Sequence, residues 1–600
     1  MIEAAVYIAK ASLVLLLGFA PGYLLAKCAT RREGWELAAN SVAFSLLFAA
    51  FSEFLAYLLN ADAFFFNFSL TVLASALLFA CARLKGIALG PGPRPPALPA
   101  FFALAFLAVV CVQALIPFYS GAYWYGDWWM HYDIARFYLD HAPLSKTWFP
   151  EHYTPTSRTP LFNLAGAYFM SLSGTEFWSF QIAASFMNAA FILPLALLAK
   201  RFGFSKYSSA ALAVLLAVLN ASVLTNECYT WSKLVISLFL LSAIYYYLDF
   251  RKQLLAGRME ASTAALLGIH AAGAYLSHQT ALYYLIPVAL DFAILSALLF
   301  ARDRKKFASA GWKAAGIAAV AGLALLAPWH AWAFENYGVS ETLSSSPALK
   351  AGITSQGFLE DRARNAVATL YPVFQQEWFG KWFPNSTPLD LLRCAQSGWQ
   401  FDCYGFAYSV TLRFWLDVLP GALTLTGCAA LAAIAIGSVL SGTWKKIADP
   451  EEPEFLFLLM LPISFVFGCL TTMYVDEKGW MPLFLPTLLI LEIVIARSLS
   501  GWRRGLRAPV LALIIAEFVL VKGSHVYLLF TEQLTNYEPF NLPLKADNHL
   551  VFAFDYLGGS RIVFAALALL VYALLVACAL ILASQKEGEA LEEKFRALLG

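Results

Sequence analysis

The feature that most constrains this chain is the repetition of long apolar runs along its 600 residues. A run of about 18 or more apolar residues is long enough to cross a bilayer as a helix. Charged residues make up 13% of the sequence, against about a quarter in soluble proteins. We therefore predict an all-α polytopic membrane protein with about fifteen transmembrane helices and interfacial helices in its long outer loops. The predicted spans are roughly 3–27, 38–60, 64–83, 100–117, 177–199, 207–225, 230–249, 262–277, 280–300, 314–333, 408–440, 455–475, 481–499, 508–522 and 562–584.

Positive charge alternates along the loops between these spans. Lysine and arginine clusters follow the odd-numbered spans, at residues 27–32, 83–94, 200–206, 251–258, 302–313, 445–446 and 503–507. Loops rich in such residues stay in the cytoplasm. The pattern predicts an inner-membrane protein with its N-terminus outside and its C-terminal tail, residues 585–600, inside. The long loops 118–176, 335–408 and 522–561 are then outside.

The sequence gives no sign of a cleaved signal peptide or of nucleic-acid binding, and it contains one candidate disulfide. Residues 1–27 lack the basic start of a secretory signal peptide and are predicted to be a retained helix. The net charge of +2, without a basic stripe, gives no indication of nucleic-acid binding. Most of the nine cysteines lie in apolar runs, but Cys394 and Cys403 share a polar outer segment. Because that compartment permits oxidation, we predict a disulfide between them, the alternative being two free thiols.

The first long polar segment, residues 118–174, gathers charged and aromatic side chains between two spans. Such a segment is either a site that faces the membrane interface or a solvated loop with an aromatic belt. Seven of the eight histidines also lie at or near the predicted outer face, and only His270 falls within a span.

Within this segment, helical spacing places Asp127 and His131 on one face of a predicted interfacial helix. Asp127 follows Gly126 at the expected start of the helix, where an aspartate is either an N-cap or a functional group such as a base or a metal ligand. Asp133 is a further candidate for substrate binding, although its simplest role is an ion pair with Arg136, three residues later.

These residues resemble a motif of the GT-C glycosyltransferases, membrane enzymes that use lipid-linked sugar donors and include the protein O-mannosyltransferases and the aminoarabinose transferase of lipid A. In that family an acidic residue in the first outer loop is followed by a pattern similar to the His131, Ile134, Ala135 and Arg136 seen here. The element from Arg158 to Leu161 resembles the family's Arg-Pro or Lys-Pro element, which opens the next helix, with one residue intervening. Trp128 stands where the family has a second acidic residue, which departs from a paired-carboxylate metal site.

The placement of the loops is also similar, because long outer loops follow the first and the seventh helices of the family's core module. The resemblance implies a seven-helix module over residues 100–405, preceded by accessory helices and a Pro-rich connector over 1–99 and followed by C-terminal helices over 406–600. It implies a polyprenyl-phosphate sugar donor, a lipid, glycan or protein acceptor, and surrounding membrane lipids. No cofactor is required, and a divalent metal stays open.

The resemblance further implies that Asp127 is the catalytic base and that Arg158 holds the donor phosphate, with His131 lining the site. Lys233, near the outer end of the seventh span, either binds phosphate or extends its amine to the interface. His278 ends the eighth span at the same level and is either part of the site or an ordinary interface residue.

Two other functions remain open. An enzyme similar to O-antigen polymerases or ligases would also need cations at the outer face. A transporter is favoured by acidic residues inside predicted spans, namely Glu53, Asp291, Glu492 and Glu517, but no inverted repeat is visible.

Overall fold

The computed structural model describes residues 14, 18–30, 32–89, 97–113, 118–119, 125–147, 154–203, 206–220, 223, 226, 231–302, 304–344, 425–471, 485–502, 505–516, 546–547 and 560–584. These residues are almost entirely helical. Helices satisfy every backbone hydrogen bond within the segment, which the interior of a bilayer requires.

The N-terminal helices are α1 (18–30), α2 (Gly34–Leu58) and α3 (Ala63–Leu84). The central helices are α4 (Ala97–Gln113), α5 (Tyr125–Leu139), α6 (Pro160–Ser173), α7 (Phe177–Ala189), α8 (Ile192–Phe202), α9 (Lys206–Leu219), α10 (Lys233–Leu255), α11 (Ala261–Ser277), α12 (Leu282–Arg302), α13 (Arg304–Tyr337) and α14 (Val339–Ser344). The C-terminal helices are α15 (Leu425–Leu440), α16 (Trp444–Ile447), α17 (Phe455–Thr471), α18 (Leu485–Gly501), α19 (Gly505–Ala516) and α20 (Ser560–Ser584).

Most of the described helices overlap predicted spans, and the protein is a multi-pass membrane protein. Helices α5 and α6 do not, because they lie in the segment 118–176 that the sequence predicts to be an outer loop, and α6 is buried in the protein. Among the described residues, six helical stretches are long and apolar enough to cross a membrane: Gly34–Leu58, Ala63–Leu84, Ser179–Phe202, Lys233–Leu255, Gln279–Arg302 and Gly311–Tyr337. Six further apolar helices are shorter, with 10–17 residues. The predicted number of about fifteen spans is therefore not confirmed.

The centre of the structure is formed by α6, α8 and α10, whose side chains are almost all buried. Helix α6 packs against α2, α5 and α7, so the N-terminal helices contact the central ones directly. A Cβ at Gly166 would overlap the ring of Phe180, so this glycine permits the close packing of α6 on α7. A Cβ at Gly268 would likewise overlap the Ala318 carbonyl oxygen, where α11 crosses α13 through small residues.

At one end of the bundle, residues next to the loops with the basic clusters contact one another. Arg201 pairs with Asp249 at 2.5 Å, and Arg497 pairs with Glu454 at 2.8 Å. Arg251 donates to the Glu451 carbonyl at 2.9 Å and to the Pro450 carbonyl. The loops that follow α8, α10 and α18 therefore meet the segment before α17, and we call this the basic-loop face.

The opposite face joins the ends of the predicted outer loops, and we call it the long-loop face. The Tyr337 hydroxyl donates to the Leu144 carbonyl at 3.0 Å, and α14 contacts a 3-10 turn at Pro155–Ser157. Two short strands, β1 (Phe118–Tyr119) and β2 (Ala546–Asp547), pair antiparallel, with Phe118 opposite Asp547. Residues that flank the predicted cytoplasmic loops and residues that flank the predicted outer loops thus form separate groups of contacts, while the orientation in the cell stays a prediction.

Candidate functional site

The turn that carries Arg158 is shaped by its local sequence. Pro155, Thr156 and Ser157 form the 3-10 turn, with a capping box between Thr154 and Ser157. Arg158 then follows in extended backbone, and Pro160 occupies the first turn of α6, where its missing N–H is not needed. The element around Arg158 therefore opens a helix, as the motif predicts. Arg158 is 9% exposed, so its side chain lies inside the protein and not in a solvated loop.

His131 lies on α5, against the start of α6. Its Nδ1 is 2.7 Å from Oδ1 of Asn163, and its ring packs edge-on to Phe162 with a centroid distance of 5.1 Å. The described side chains of α5 are largely buried, including Met130, His131 and Ile134. Helix α5 is therefore embedded in protein, in contrast to the interfacial position that the sequence suggests.

Lys233 and His278 meet across two helices. Lys233 begins α10, His278 follows the last residue of α11, and Lys233 Nζ lies 2.6 Å from His278 Nε2. The other ring nitrogen, Nδ1, faces Thr280 Oγ1 at 2.8 Å. Lys233 is partly exposed and contacts a buried imidazole, and its role in binding phosphate stays a prediction.

Four predicted site residues act on one another electrostatically. Burial lowers the pKa of His278 well below its usual value, and nearby Lys233, Arg158 and His131 lower it further. His278 is thus within electrostatic range of residues up to 147 positions away in the sequence, the most distant being His131. We call Arg158, Lys233, His131 and His278 the cationic cluster.

The predicted ion pair between Asp133 and Arg136 is wrong. Arg136 instead forms a two-pronged pair with Asp140, with Nε–Oδ2 at 2.9 Å and Nη2–Oδ1 at 3.1 Å. A spacing of four residues aligns the two side chains along the helix. Asp133 is partly buried, and desolvation raises its pKa to about 6, while Lys146 and Arg136 partly oppose this shift.

The N-cap alternative for Asp127 is also wrong. Helix α5 begins at Tyr125, so Asp127 stands in its first turn, where a negative charge favours the helix dipole. Only the backbone of Asp127 is described. Cys394, Cys403 and Glu517 lie outside the described residues, so the predicted disulfide stays a prediction. Within the described part of the chain, no three His, Cys, Asp or Glu side chains form a group suited to a metal ion.

The acidic residues of the predicted spans have protein partners. Asp291 pairs with Arg251 at 3.1 Å and accepts from Tyr247, and both members of the ion pair are buried. Glu492 accepts from Asn220 at 2.8 Å, and Glu53 accepts from Asn67 at 2.5 Å. Each of these carboxyl groups thus has a protein partner on one oxygen, while the second oxygen is buried without a hydrogen-bond partner among the described residues.

Several buried polar residues of the central helices were missed by sequence reasoning. Asn163 and Thr280 contact histidines of the cationic cluster directly. Gln181, Ser185 and Asn188 are buried on α7 at intervals of four and three residues, and Asn188 donates to the Asn226 carbonyl at 3.1 Å. The helical spacing of these three residues within an apolar run was the available signal.

An apolar groove runs between α11, α12 and α13, with a volume of about 740 Å³. Its lining includes Gly268 and Leu285, and it extends to Tyr275, Leu282 and His330. Tyr275 and Leu282 lie on either side of His278 in the sequence, so this end of the groove approaches the segment that carries the cationic cluster. The shape and composition suit a hydrocarbon chain.

Comparison with known proteins gives little further identification. No protein family matches the sequence, and no curated protein matches it. Among solved structures, the chain is similar to one described as the crystal structure of ArnT from Cupriavidus metallidurans in the apo state, with a TM-score of 0.43 and 11% identity over 82% of this chain and 77% of that one. A similarity this low does not establish a shared family or function.

Proposed function

We propose that this protein is a GT-C-like glycosyltransferase of the cytoplasmic membrane. It moves a sugar from a polyprenyl-phosphate donor to a lipid, glycan or protein acceptor at the outer face. The observation that supports the proposal is the cationic cluster, in which the Lys233 amine contacts the buried His278 and the charges of Arg158 and His131 act on the same ring.

The cluster suits a phosphate that carries an apolar chain. Arg158 and Lys233 supply positive charge, and an arginine fork can bind two phosphate oxygens at once. His278 remains neutral because its pKa is lowered, so it orients Lys233 without adding a third charge. The apolar groove that approaches His278 offers a place for the polyprenyl chain.

The remaining roles follow the motif. Asp127 is the base that takes a proton from the acceptor, and His131 lines the site beside Asn163. Asp133 remains a candidate for substrate binding because its partly buried carboxyl group is not paired with Arg136. No step of this proposal requires a metal ion.

Binding of undecaprenyl phosphate to the full chain in nanodiscs tests the proposal. Wild-type protein should bind undecaprenyl phosphate and discriminate against undecaprenol, which lacks the phosphate. Arg158→Gln should weaken binding about 10- to 100-fold, because a charge-assisted hydrogen bond contributes about 1.5–3 kcal/mol. The matched control is Arg136→Gln, since Arg136 pairs with Asp140 at the partly exposed end of α5. Equal binding of the two lipids would contradict a phosphate site.

A further inference from the structure

The apolar groove between α11, α12 and α13 lies within the membrane-spanning part of the protein. Two of its walls belong to the spans Gln279–Arg302 and Gly311–Tyr337. Leu282 and Leu323 line the groove and are 41% and 62% exposed, so the groove opens sideways toward the surrounding lipid. A hydrocarbon chain can therefore enter it from the bilayer without passing through water.

Small residues give the groove its depth. Gly268 packs against the backbone of Ala318, which brings α11 and α13 close together at the floor of the groove. Other glycine and alanine residues of the two helices also line it, namely Ala271, Ala272, Ala315, Ala319 and Gly322. Because these side chains are small, the space between the helices is left for a chain supplied by a ligand.

The two ends of the groove differ in their polar groups. At the basic-loop end, the Tyr247 hydroxyl donates to the buried Asp291 carboxylate. At the long-loop end, Tyr275 and His330 approach each other from α11 and α13, and their stacked rings have centroids 5.6 Å apart. His330 Nδ1 lies 2.8 Å from the Leu326 carbonyl oxygen, which can only accept, so Nδ1 carries a proton. Within the described part of the chain, the Tyr275 hydroxyl and His330 Nε2 have no hydrogen-bond partner.

This difference gives a bound lipid a direction. Tyr275 precedes His278 by three residues, which is roughly one helical turn or about 5 Å along the axis. A lipid with its phosphate at the cationic cluster therefore has the start of its chain at the level of Tyr275 and His330. The opposite direction would place the phosphate beside Tyr247, whose hydroxyl already has a partner.

The length of the groove limits how much of a chain it can contact. Its lining runs from Leu282 to Phe292 along α12 and from Ala315 to His330 along α13. These stretches are about 15 and 22 Å long, whereas the hydrocarbon core of a bilayer is about 30 Å thick. An extended isoprene unit is about 5 Å long, since it adds four carbon–carbon bonds of about 1.5 Å each, so the groove covers roughly three to four units.

From these observations we infer that the groove binds roughly the first three to four isoprene units of the donor, with Tyr275 and His330 at the phosphate end, and leaves the rest of the chain in the bilayer. The donor class is then polyprenyl phosphates of any length above this limit, and not one chain length. The inference rests on the proposed function, because it takes the cationic cluster to be the phosphate site. It adds the range of chain lengths and two residues that recognise the lipid.

Polyprenyl phosphates of different length test the inference. The full chain in phosphatidylcholine nanodiscs is titrated with geranyl, geranylgeranyl and undecaprenyl phosphate, and affinity is expressed per mole fraction of each lipid in the bilayer. Because the bilayer is as apolar as the groove, chain units improve binding only through packing, and only as far as the groove extends. Geranylgeranyl phosphate, with four units, should bind within about threefold of undecaprenyl phosphate, and geranyl phosphate, with two, about tenfold more weakly. A steady rise in affinity up to undecaprenyl phosphate, or equal binding of the two shorter lipids, would overturn the inference.

Two alanines of α13 provide a matched pair of variants. Both are exposed, but Ala319 lines the groove and Ala324 does not. Ala319→Phe fills the groove and should weaken binding of geranylgeranyl phosphate about tenfold, whereas Ala324→Phe should bind it as the wild type does. Normal binding by Ala319→Phe would overturn the inference and leave the phosphate site in place. Failure of the wild type to bind undecaprenyl phosphate would instead refute the proposed function.

Tyr275→Phe tests the phosphate end of the groove, because it removes only the hydroxyl. It should weaken binding of the two longer lipids by the same factor, about 3- to 10-fold, which corresponds to one hydrogen bond. The control is Tyr337→Phe, since the Tyr337 hydroxyl donates to the Leu144 carbonyl and Tyr337 is not part of the groove lining. Unchanged binding by Tyr275→Phe would remove this residue from lipid recognition.

Discussion

Lys233 and His278 lie 45 residues apart in the sequence, and yet the lysine amine is 2.6 Å from the histidine Nε2. The other ring nitrogen, Nδ1, accepts from the Thr280 backbone N–H at 3.2 Å. It also lies 2.8 Å from the Thr280 hydroxyl oxygen. The contact therefore links the first residue of α10 to the turn that follows α11, with His278 held between Lys233 and Thr280.

This relationship predicts energetic coupling between the two residues. Lys233→Met should weaken undecaprenyl phosphate binding about tenfold, and His278→Gln should weaken it less. In the double variant the histidine change should add little, because the amine that it orients is gone. A double-mutant cycle should give a coupling of about 0.5–3 kcal/mol, as contacting residues do. Strictly additive effects would show that His278 does not position Lys233.

Asp133 predicts a pH dependence of stability. Its pKa rises to about 6 in the folded protein from an ordinary value near 3.8, so the folded state binds the proton more tightly than the unfolded state. Its contribution to stability is therefore greatest at acid pH and is lost as pH rises from about 4 to about 6. Asp133→Asn should remove this part of the slope of melting temperature against pH and should raise the melting temperature at pH 7.

Asp140→Asn is the control for that measurement, because it deletes an exposed carboxylate near the end of the same helix. An unchanged slope in Asp133→Asn would show that another group is responsible for the pH dependence between about pH 4 and pH 6.

The division of the loops between two faces was predictable because it follows from local quantities. Each span depends on the hydropathy of a continuous run, and the two faces depend on the positions of lysine and arginine between the runs. Arg158 was singled out by its resemblance to the family's Arg-Pro element, and Lys233 by its place near the outer end of a predicted span, and their binding of phosphate stays a prediction. The position of α5 was not predictable, because burial against α2 and α6 depends on helices distant in the sequence.

The neutral polar residues of the central helices escaped sequence analysis for a different physical reason. Asparagine, glutamine and serine are common between transmembrane helices, where they hydrogen-bond across the interface. Asn163 is therefore unremarkable in the sequence, and only its contact with His131 distinguishes it. The ion pair of Arg136 was mispredicted because two aspartates are within reach on the same helix. Asp140 lies four residues after Arg136 and forms the pair, whereas Asp133 lies three residues before it.

Cysteine labelling tests the predicted orientation. Ser145 is exposed at the long-loop face, and Ser441 is exposed between α15 and the lysines of α16. In a cysteine-free background, Ser145→Cys should react with a membrane-impermeant maleimide in intact cells, and Ser441→Cys should react only after the membrane is opened. The reverse pattern would invert the topology and place the cationic cluster on the cytoplasmic side.

The role of Asp127 is the most direct test of the mechanism. Asparagine has nearly the same shape and keeps a polar group in the first turn of α5, so Asp127→Asn removes the proton acceptor with little structural change. If Asp127 is the base, transfer from a polyprenyl-phosphate sugar should slow by about 10²-fold or more, while donor binding is retained. If Asp127 only stabilises the helix through its interaction with the helix dipole, Asp127→Asn should lower the free energy of unfolding by about 0.3–1 kcal/mol and leave transfer unchanged. Asp140→Asn, which removes a carboxylate just beyond the other end of α5, should transfer sugar at the normal rate. Near-normal transfer by Asp127→Asn would exclude Asp127 as the base and would direct the same experiment to Asp133.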